Sequence, residues 1–589
     1  DEWCARLIGK DPGEIRNIDD YWANVSILSS PPLKPAVFLT SRAKQVESLK
    51  KWLEGSPSLL EFTTHSPSEV VDFFAAYVAS LDDKERAAIG ARIVIVEKRE
   101  AWDALCVSQN RLILVPSPRM AIEPEMLADA VRCGHRVLAW RYYANGKTSE
   151  PDKELSRVFP FELEKFLRES GFEEEEAARL AGKCGGSLTA LKRLVGRFPE
   201  TELPKWAQKP VPAEIAAILL AGRWDDENAA DREALEKLAG CPYNKIQYTA
   251  NQWVTGEDPL LIRALSHWRL TSREDSWALL SQYIAGQQLD IFAEIAIDVL
   301  GEKDSGFDLP SEDRWLASIK GKMLRYSSQL REGIADAVAL LGVNPEWTGR
   351  ADRIVGSLLS AITDWKQCAS LDDVLPQLAE AAPDVFLDIM KKKVPCIAGV
   401  FSQKDSGLFS ASPYTGLLWA LETLAWEPKH LDWASRLLAQ LAKMNTSVQN
   451  GPIDSLTRIF LPWFPQTSAS VETRIKVLEH LCKIEPDVTW CLLLTLLPSA
   501  TTMAFPTSRP EWRDWALNRP KVTNRDRWEV ENATADLLIE MAGHNADRWT
   551  DLIGHLHHFY TPALDRLLEK LANDDLNKLA SRDRNRIAD

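Results

Sequence analysis

Residues 59–81 have the sequence LLEFTTHSPSEVVDFFAAYVASL. The apolar run Leu59–Phe62 predicts a short buried β-strand, and the apolar spacing over Ser68–Leu81 predicts the helix that follows it. This strand-then-helix alternation continues to about residue 141 and predicts a small parallel sheet covered by helices on both faces. The other strands predicted in it are Ile93–Val96, Leu112–Val115 and Val137–Trp140, and the other helices are Glu100–Leu105 and Pro124–Cys133.

The junction between the first strand and its helix is where such a sheet would hold a phosphate group. Nucleotides bind at the carboxyl ends of the strands, and a P-loop supplies glycines, a lysine and a Ser or Thr there. Residues 63–68 are Thr-Thr-His-Ser-Pro-Ser, with no glycine and no Gly-Lys-Ser/Thr triplet. The helix N-terminus could still attract an anion. The candidate nucleotide-binding residues are therefore Thr63, Thr64, His65 and Ser66, in a loop without the phosphate cradle.

Two further segments contain residue types that ATPases use. Glu97 follows the strand Ile93–Val96 and is a candidate magnesium-coordinating acid, although Lys98 stands where a second acid would be. The Gly-Lys-Thr triplet at residues 146–148 follows the last predicted strand, and Arg141 occupies the position of the motif's first glycine. These departures predict an α/β head without catalysis and without a cofactor, with bound ATP as the alternative.

The chain divides by pattern into five segments and is predicted to be multidomain and mainly α. In order, the predicted segments are a helical lead-in (1–32), a degenerate P-loop-like α/β domain that opens with a short strand at 33–39 (33–150), a helical lid (151–203), a winged-helix-like domain (204–290) and a helical-repeat region (291–589). The winged-helix prediction depends on three helices followed by two extended runs, Leu260–Leu265 and His267–Leu270.

The last 300 or so residues are predicted to be helical almost throughout, with Pro, Gly and Ser at the joints. The joint spacing predicts stacked helix pairs of roughly 35–50 residues, as in α-solenoids. One long helix is predicted at Asp313–Leu341. The abundant tryptophans are interpreted as filling between helix layers, and a role as aromatic anchors for a partner is the alternative.

A winged helix raises the possibility of DNA binding. The recognition helix would cover residues 243–253, where Lys245 is the one basic residue. Residues 205–290 contain nine Lys and Arg against twelve Asp and Glu, a net charge of −3. Duplex binding depends on neutralising phosphates with Lys and Arg, so a structural role is predicted for this domain.

The bulk composition excludes several classes of protein. Over 589 residues the formal net charge is −15, which argues against general binding to nucleic acid or an anionic membrane. Nine cysteines without a CxxC pair favour reduced thiols in the cytoplasm over disulfides or a zinc site. His555 and His558 would share a helical face and could bind a metal, but a surface helix end is the preferred interpretation. The helix-like ends of the chain suggest a piece of a longer protein.

The order of α/β head, helical lid, winged helix and helical repeats resembles the STAND branch of AAA+-like, NLR-like signalling ATPases. Pro35–Leu53, with Ser41-Arg42 ahead of an amphipathic helix, is similar to the entry segment of those modules, and Gly185-Gly186-Ser187-Leu188 is similar to their lid turn. The stretch Leu461–Thr467 and the helix after it resemble C-terminal regions of large bacterial defence proteins.

This resemblance implies a regulatory or sensor scaffold of a bacterial antiviral defence system. Its helical repeats would bind a protein partner or a phage-derived trigger, and binding would be coupled to an effector domain outside this chain. The chain could also form a homo-oligomer. Two alternatives stay open: an active signalling ATPase with a non-standard phosphate loop, and a winged-helix regulator that binds DNA.

Overall fold

The computed structural model describes residues 14–572, apart from 28, 119, 143–150, 156, 197–202, 255, 257, 403–411, 445–449 and 499–503. The chain is mainly helical and contains a small mixed sheet, which confirms the predicted fold class at that level. It divides into two compact units, Asp1–Phe292 and Ala293–Asp589. None of the helices in the described ranges is long and apolar enough to cross a bilayer.

The main sheet belongs to the first unit. Its strands are β1 (Ile15–Arg16), β2 (Leu59–Thr64), β3 (Ile93–Val96), β4 (Ile113–Pro116), β5 (Arg136–Tyr142) and β6 (Glu154–Leu155). They lie in the order β1-β3-β4-β5-β2-β6. The five strands β3, β4, β5, β2 and β6 are parallel to their neighbours in this order. Strand β1 pairs antiparallel with β3 at the edge of the sheet.

Helices cover both faces of this sheet. They are α1 (Ile18–Ile27), α2 (Pro35–Leu39), α3 (Ala43–Glu54), α4 (Pro67–Ala79), α5 (Asp83–Gly90), α6 (Arg99–Cys106) and α7 (Pro124–Arg132). Successive side chains of a strand point to opposite faces of the sheet, so the strands contribute residues to two apolar clusters. One cluster joins Phe62 and Ile95 to Phe73 of α4, and the other joins Val94 to Trp102 of α6. Burial on both faces explains why these strands are continuous apolar runs.

The rest of the first unit is a helical part followed by a small second sheet. Its elements are α8 (Pro160–Ser170), α9 (Glu174–Lys183), α10 (Leu188–Val195), α11 (Ala213–Ala221), β7 (Arg223–Asp225), α12 (Ala229–Ala239), α13 (Tyr243–Gln252), β8 (Leu261–Ala264), β9 (His267–Leu270) and α14 (Arg273–Leu280), and α15 (Gly286–Leu300) follows. Strands β7, β9 and β8 form an antiparallel sheet in that order. Trp224 and Trp268 stack in its core with ring centroids 5.5 Å apart.

Helices of the second unit form two layers. The elements are α16 (Ser328–Val343), α17 (Thr348–Ser360), α18 (Trp365–Ala369), α19 (Leu375–Ala381), α20 (Pro383–Ile397), α21 (Thr415–Leu424), α22 (Pro428–Met444), α23 (Pro452–Phe460), α24 (Val471–Ile484), α25 (Pro486–Leu496), α26 (Asn524–Ala542), α27 (Ala546–Gly554) and α28 (Thr561–Ala572). Helices α16, α19, α21, α23 and α25 pack in sequence as one layer, and α17, α20, α22, α24 and α26 as the other.

Short 3₁₀ helices occur between these elements. They are Pro151–Lys153, Lys205–Ala207, Ser281–Tyr283, Ser305–Asp308, Ser311–Leu316, Ala398–Ser402, Asp514–Asn518 and Leu556–His558.

Three local predictions differ from the structure. The strand predicted at 33–39 is wrong, because Pro35 begins the helix α2 and its residues Val37 and Phe38 are fully buried. The helix predicted at Asp313–Leu341 is broken: Gly321 has a φ of +65°, and α16 begins only after Ser327 caps it. Strand β1, inside the predicted helical lead-in, was not expected from the sequence.

Candidate functional site

The candidate site lies at the carboxyl end of β2. Strands β5, β4 and β3 follow on one side of β2, and β6 pairs with it on the other. Ligands of open α/β sheets bind outside the carboxyl ends of the strands at such a reversal of strand order. Thr63 and Thr64 end β2 here, opposite Arg141 and Tyr142 of β5 and beside β6. The structure therefore brings four of the predicted site residues, Thr63–Ser66, to this position.

Hydroxyl groups of the loop after β2 bond within the chain. The Ser66 backbone N–H donates to Thr64 Oγ1 at 3.1 Å, and the Thr64 hydroxyl donates to the Ser66 carbonyl at 3.0 Å. Ser66 Oγ lies 3.3 Å from Oγ1 of Thr189 in α10. Both Thr64 and Ser66 are buried. These bonds form a tight turn without glycine, so the loop does not supply the glycine-rich backbone that a P-loop uses to hold phosphate.

Glu69 occupies the first turn of α4, directly after this loop. Its Oε2 accepts a hydrogen bond from Arg42 Nη2 at 2.6 Å, and its Oε1 accepts one from the Leu188 backbone N–H at 2.9 Å. Arg42 is completely buried and Glu69 is 5% exposed. Leu188 is the first residue of α10, so the carboxylate lies at the positive end of that helix dipole. A guanidinium and a helix N-terminus together form an anion site, and Glu69 is the anion in it.

His65 and Arg157 lie close enough to the Glu69 carboxylate to interact with it electrostatically. Burial, and then the nearby Arg157, lower the pKa of His65 to about 4. Burial also lowers the pKa of Arg157 to about 10. At neutral pH the imidazole is therefore uncharged and the guanidinium charged. Arg157 donates to the Gly185 carbonyl at 3.3 Å and to Thr271 Oγ1 at 3.4 Å.

The Gly185-Gly186 turn closes the site against the second sheet. Both residues have positive φ values, +58° and +73°. A Cβ atom on Gly185 would lie 1.9 Å from the Thr271 carbonyl oxygen, and one on Gly186 would lie 2.6 Å from that of Val158. Only glycine fits at this close approach. The turn is therefore fixed between the segment after β6 and the segment after β9.

Ion pairs fix α10 to α14 and to the segment before β8. Arg193 bonds both oxygens of Asp275, with Nη2 at 2.6 Å from Oδ2, and also pairs with Asp258. The paired carboxylates hold the pKa of Arg193 above its usual range despite its burial. Ser272 donates to the Lys183 carbonyl at 2.6 Å, joining the end of α9 to the start of α14. These contacts make the helical part and the small sheet one packed body.

Glu97 is not part of this site. It follows β3, which is separated from β2 by β4 and β5, a distance of roughly 14 Å at the usual strand spacing. Its carboxylate pairs with Arg16 at 3.0 Å, and its backbone N–H donates to the Glu14 carbonyl. The Gly-Lys-Thr triplet at residues 146–148 lies outside the described residues.

Three polar side chains of helix α13 bond to neighbouring elements of the same unit. Lys245 pairs with Glu214 of α11. Tyr243 and Gln247 donate to Asp226, which also accepts from Trp268 Nε1 at 3.3 Å. Tyr243 and Gln247 therefore hold α13 to the residue after β7, whereas Asn244, Tyr248 and Gln252 of the same helix are exposed.

The histidine cluster near the C-terminus does not assemble a metal site. His555 caps the end of α27, and its Nδ1 lies 2.7 Å from the Asp551 carbonyl oxygen. His557 and His558 belong to a single 3₁₀ turn. Across the described part of the chain, no group of three His, Cys, Asp or Glu side chains is arranged to hold a metal ion.

Four residues of the site were missed by sequence reasoning: Arg42, Glu69, Arg157 and Thr189. Ser66 and Glu69 match the capping-box spacing, which would assign Glu69 to its own helix end. The structure shows no side-chain cap from Ser66, and Glu69 bonds Arg42 and Leu188 instead. The one sequence feature that pointed to this contact was the acidic residue Glu69 directly after the segment where a phosphate loop would end.

Comparison with protein-family models, with curated proteins and with solved structures finds no match to this chain. Arg42 and the N-terminus of α10 form an anion site that the Glu69 carboxylate of the same chain already occupies.

Proposed function

We propose that this chain is a regulatory scaffold whose α/β head keeps its closed form without a nucleotide. The observation that carries the proposal is the buried Glu69 carboxylate, which bonds Arg42 at 2.6 Å and the first N–H of α10 at 2.9 Å. In a nucleotide switch such groups are satisfied by a phosphate and change partners when it leaves. In this chain Glu69, which cannot leave as a phosphate can, bonds both Arg42 and the first N–H of α10. This supports a head that transmits partner binding in one fixed conformation over a head that switches with nucleotide.

The remaining architecture supports a binding role. Three helices with a three-stranded antiparallel sheet support the proposed winged-helix-like domain, in which Lys245 and Tyr243 of α13 bond to Glu214 and Asp226. The two helix layers of the second unit support the proposed α-solenoid, a form whose extended surfaces bind other proteins. The proposed partner is a protein or a phage-derived trigger, and the proposed setting in bacterial antiviral defence follows from the resemblance in domain order.

Nucleotide binding tests the proposal most directly. The purified chain is titrated with ATP and magnesium while its thermal unfolding and its phosphate release are measured. We expect no concentration-dependent rise in Tm and no release above that of a buffer control, because the anion position is filled. Magnesium-dependent hydrolysis that Ser66→Ala abolishes would overturn the proposal and favour an ATPase with a non-standard phosphate loop.

A further inference from the structure

Residues 504–517 form a strap that runs back across earlier helices of the second unit. The strap follows α25 along the chain, and residues 504–513 of it form neither helix nor strand. It meets three helices of one layer in the reverse of their order: Ser508 bonds α21, Trp512 bonds α19, and Arg513 bonds α16. Each contact is near the carboxyl end of its helix, so the strap lies across a row of helix ends.

Two buried carboxylates on these helices accept backbone N–H groups of the strap. The oxygens of Glu380 accept those of three successive residues, 511–513, at 2.8–3.1 Å. Glu422 accepts the N–H of Ser508 at 2.9 Å, and both carboxylates belong to residues that are 2% exposed. Bonds to N–H groups do not depend on the side chains of the strap. An extended segment of another protein that presents its N–H groups at the same spacing can therefore form them.

Two side chains of the strap fit the surface under it. Trp512 is 7% exposed. Arg513 donates to the main-chain carbonyl of Glu380 through Nε at 2.7 Å and to that of Gly342 through Nη2 at 3.0 Å. These carbonyls belong to the last turns of α19 and α16, where free carbonyl groups and the helix dipoles favour a positive charge. A segment that takes the place of the strap therefore needs an aromatic residue followed by a cation.

Carboxylates surround the guanidinium of Arg513. Those of Glu380, Asp352, Asp384 and Glu427 all interact with it electrostatically and favour its charged form. Burial, and then the nearby Asp384, raise the pKa of Asp352, and Arg513 opposes that rise. The cluster is therefore stabilised by a cation, and this end of the surface is complementary in charge to a basic segment.

The strap does not match the surface completely. The indole Nε1 of Trp512 is buried and has no hydrogen-bond partner among the described residues. A buried donor without an acceptor weakens the binding of the group that carries it. Phe505 is 55% exposed, and Pro506, Glu511 and Asp514 are exposed as well. The strap is thus held at separate positions and open to solvent between them, so a competing segment can replace it step by step.

We propose that the surface under the strap is a binding site for an extended basic segment of a partner protein, and that the strap occupies it until the partner displaces it. This inference rests on the proposed function, because it names the surface and the class of segment through which the helical layers bind a protein. The partner segment carries an aromatic residue followed by Arg or Lys, as the strap does at residues 512 and 513. The strap then lowers the apparent affinity for the partner in proportion to the time it occupies the surface.

Binding of a synthetic peptide with the sequence of residues 504–517 tests the site. Fluorescently labelled peptide is titrated with the full chain, and its anisotropy is measured. In Trp512→Ala/Arg513→Ala the strap is weakened while the helices under it are unchanged. This double variant is expected to bind the peptide at least about tenfold more tightly than the wild type does. Phe505→Ala, at an exposed position of the strap, is the control and should keep the wild-type affinity.

A substitution in the surface itself completes the test. Glu380→Gln, added to the double variant, removes an acceptor of the N–H groups of residues 511–513 and should weaken peptide binding at least about tenfold. If the double variant does not fold, hydrogen exchange of the wild type replaces it. Excess peptide should then speed exchange of residues 504–517 of the chain and leave that of α28 unchanged.

The possible outcomes separate this site from the proposed function. No binding to the double variant, or binding that Glu380→Gln leaves unchanged, would overturn the site. Wild-type dimers that excess peptide dissociates would identify the strap of a second copy as the occupant and would overturn the assignment to a partner protein. Magnesium-dependent ATP hydrolysis alongside peptide binding would overturn the proposed function and leave this site standing.

Discussion

Glu69 and Arg42 form a buried ion pair 2.6 Å long that joins the first turn of α4 to the residue before α3. The second oxygen of the same carboxylate accepts the first N–H of α10. Three segments that are far apart in the sequence thus meet at one side chain. The pair is well positioned to hold the end of β2 closed, because each partner is almost completely shielded from water.

Glu69→Gln is expected to destabilise the chain by about 3–5 kcal/mol, because it leaves the Arg42 guanidinium buried without a charged partner. Urea unfolding followed by tryptophan fluorescence measures the change. Glu125→Gln is the matched control, since Glu125 is also in the first turn of a Pro-initiated helix but is exposed. The control should change stability by less than about 0.5 kcal/mol. Equal changes in stability for the two substitutions would mean that the buried Glu69–Arg42 pair stabilises the fold no more than an exposed glutamate does.

Gly185→Ala should open the contact between the lid turn and Thr271. A Cβ at this position would lie 1.9 Å from a carbonyl oxygen, on a residue whose φ is +58°. Steric strain and the left-handed backbone together predict a loss of about 2–4 kcal/mol. Hydrogen exchange of residues 185–190 should rise along with the fall in Tm.

The comparison for that variant is Gly182→Ala, only three residues earlier. A Cβ on Gly182 meets nothing within 4 Å, and the residue lies inside α9. Alanine there should raise stability by about 0.5–1 kcal/mol, since it narrows the unfolded ensemble and favours the helix. A destabilising Gly182→Ala would show that this region tolerates no added volume and that the Gly185 contact is not special.

The central strands β3 and β4 could be predicted because each is buried, and therefore apolar, on both faces. Ile93–Val96 has the predicted bounds, and β2 extends the predicted Leu59–Phe62 by two residues. An uninterrupted apolar run of four residues is enough to locate such a strand, since burial on two faces leaves no polar position in it. The helices of the second unit are predicted less well where a left-handed glycine such as Gly321 interrupts them.

The closure of the site could not be predicted, because it depends on contacts between distant residues. Arg42 and Glu69 are 27 positions apart, and Glu69 and Leu188 are 119 apart. Each residue alone is compatible with an exposed helix end. The absence of a P-loop indicated that a phosphate would not be held in the usual way, but only the structure shows that the Glu69 carboxylate bonds both Arg42 and the first N–H of α10.

His65 should stabilise the head at neutral pH and cease to do so in acid. Its pKa in the folded chain is about 4, below the ordinary 6.5, because the ring is buried and near Arg157. The native state then binds fewer protons than the unfolded state, so stability is present above pH 6.5 and is lost as pH falls towards 4. The free energy of unfolding of the wild type minus that of His65→Asn is expected to fall by about 1–3 kcal/mol between pH 6.5 and pH 4. A difference that does not change with pH would contradict a buried neutral imidazole.

Glu380 should give the second unit the opposite dependence on pH. Its carboxyl group is 2% exposed and accepts the backbone N–H groups of Glu511, Trp512 and Arg513 at 2.8–3.1 Å. Burial outweighs these bonds and raises its pKa to about 7. The native state therefore binds more protons than the unfolded state, and the stability present below pH 4.5 is lost as pH rises through 7.

The measurement is the free energy of unfolding of wild type and Glu380→Gln between pH 5 and pH 8. The variant should be less stable at every pH, because its amide NH₂ group replaces an oxygen that accepts backbone N–H groups. Its stability should also change less with pH, by about 1–3 kcal/mol over this range, since the titrating group is gone. Parallel curves for the two proteins would mean that Glu380 stays ionised throughout, and that its three hydrogen bonds outweigh its burial.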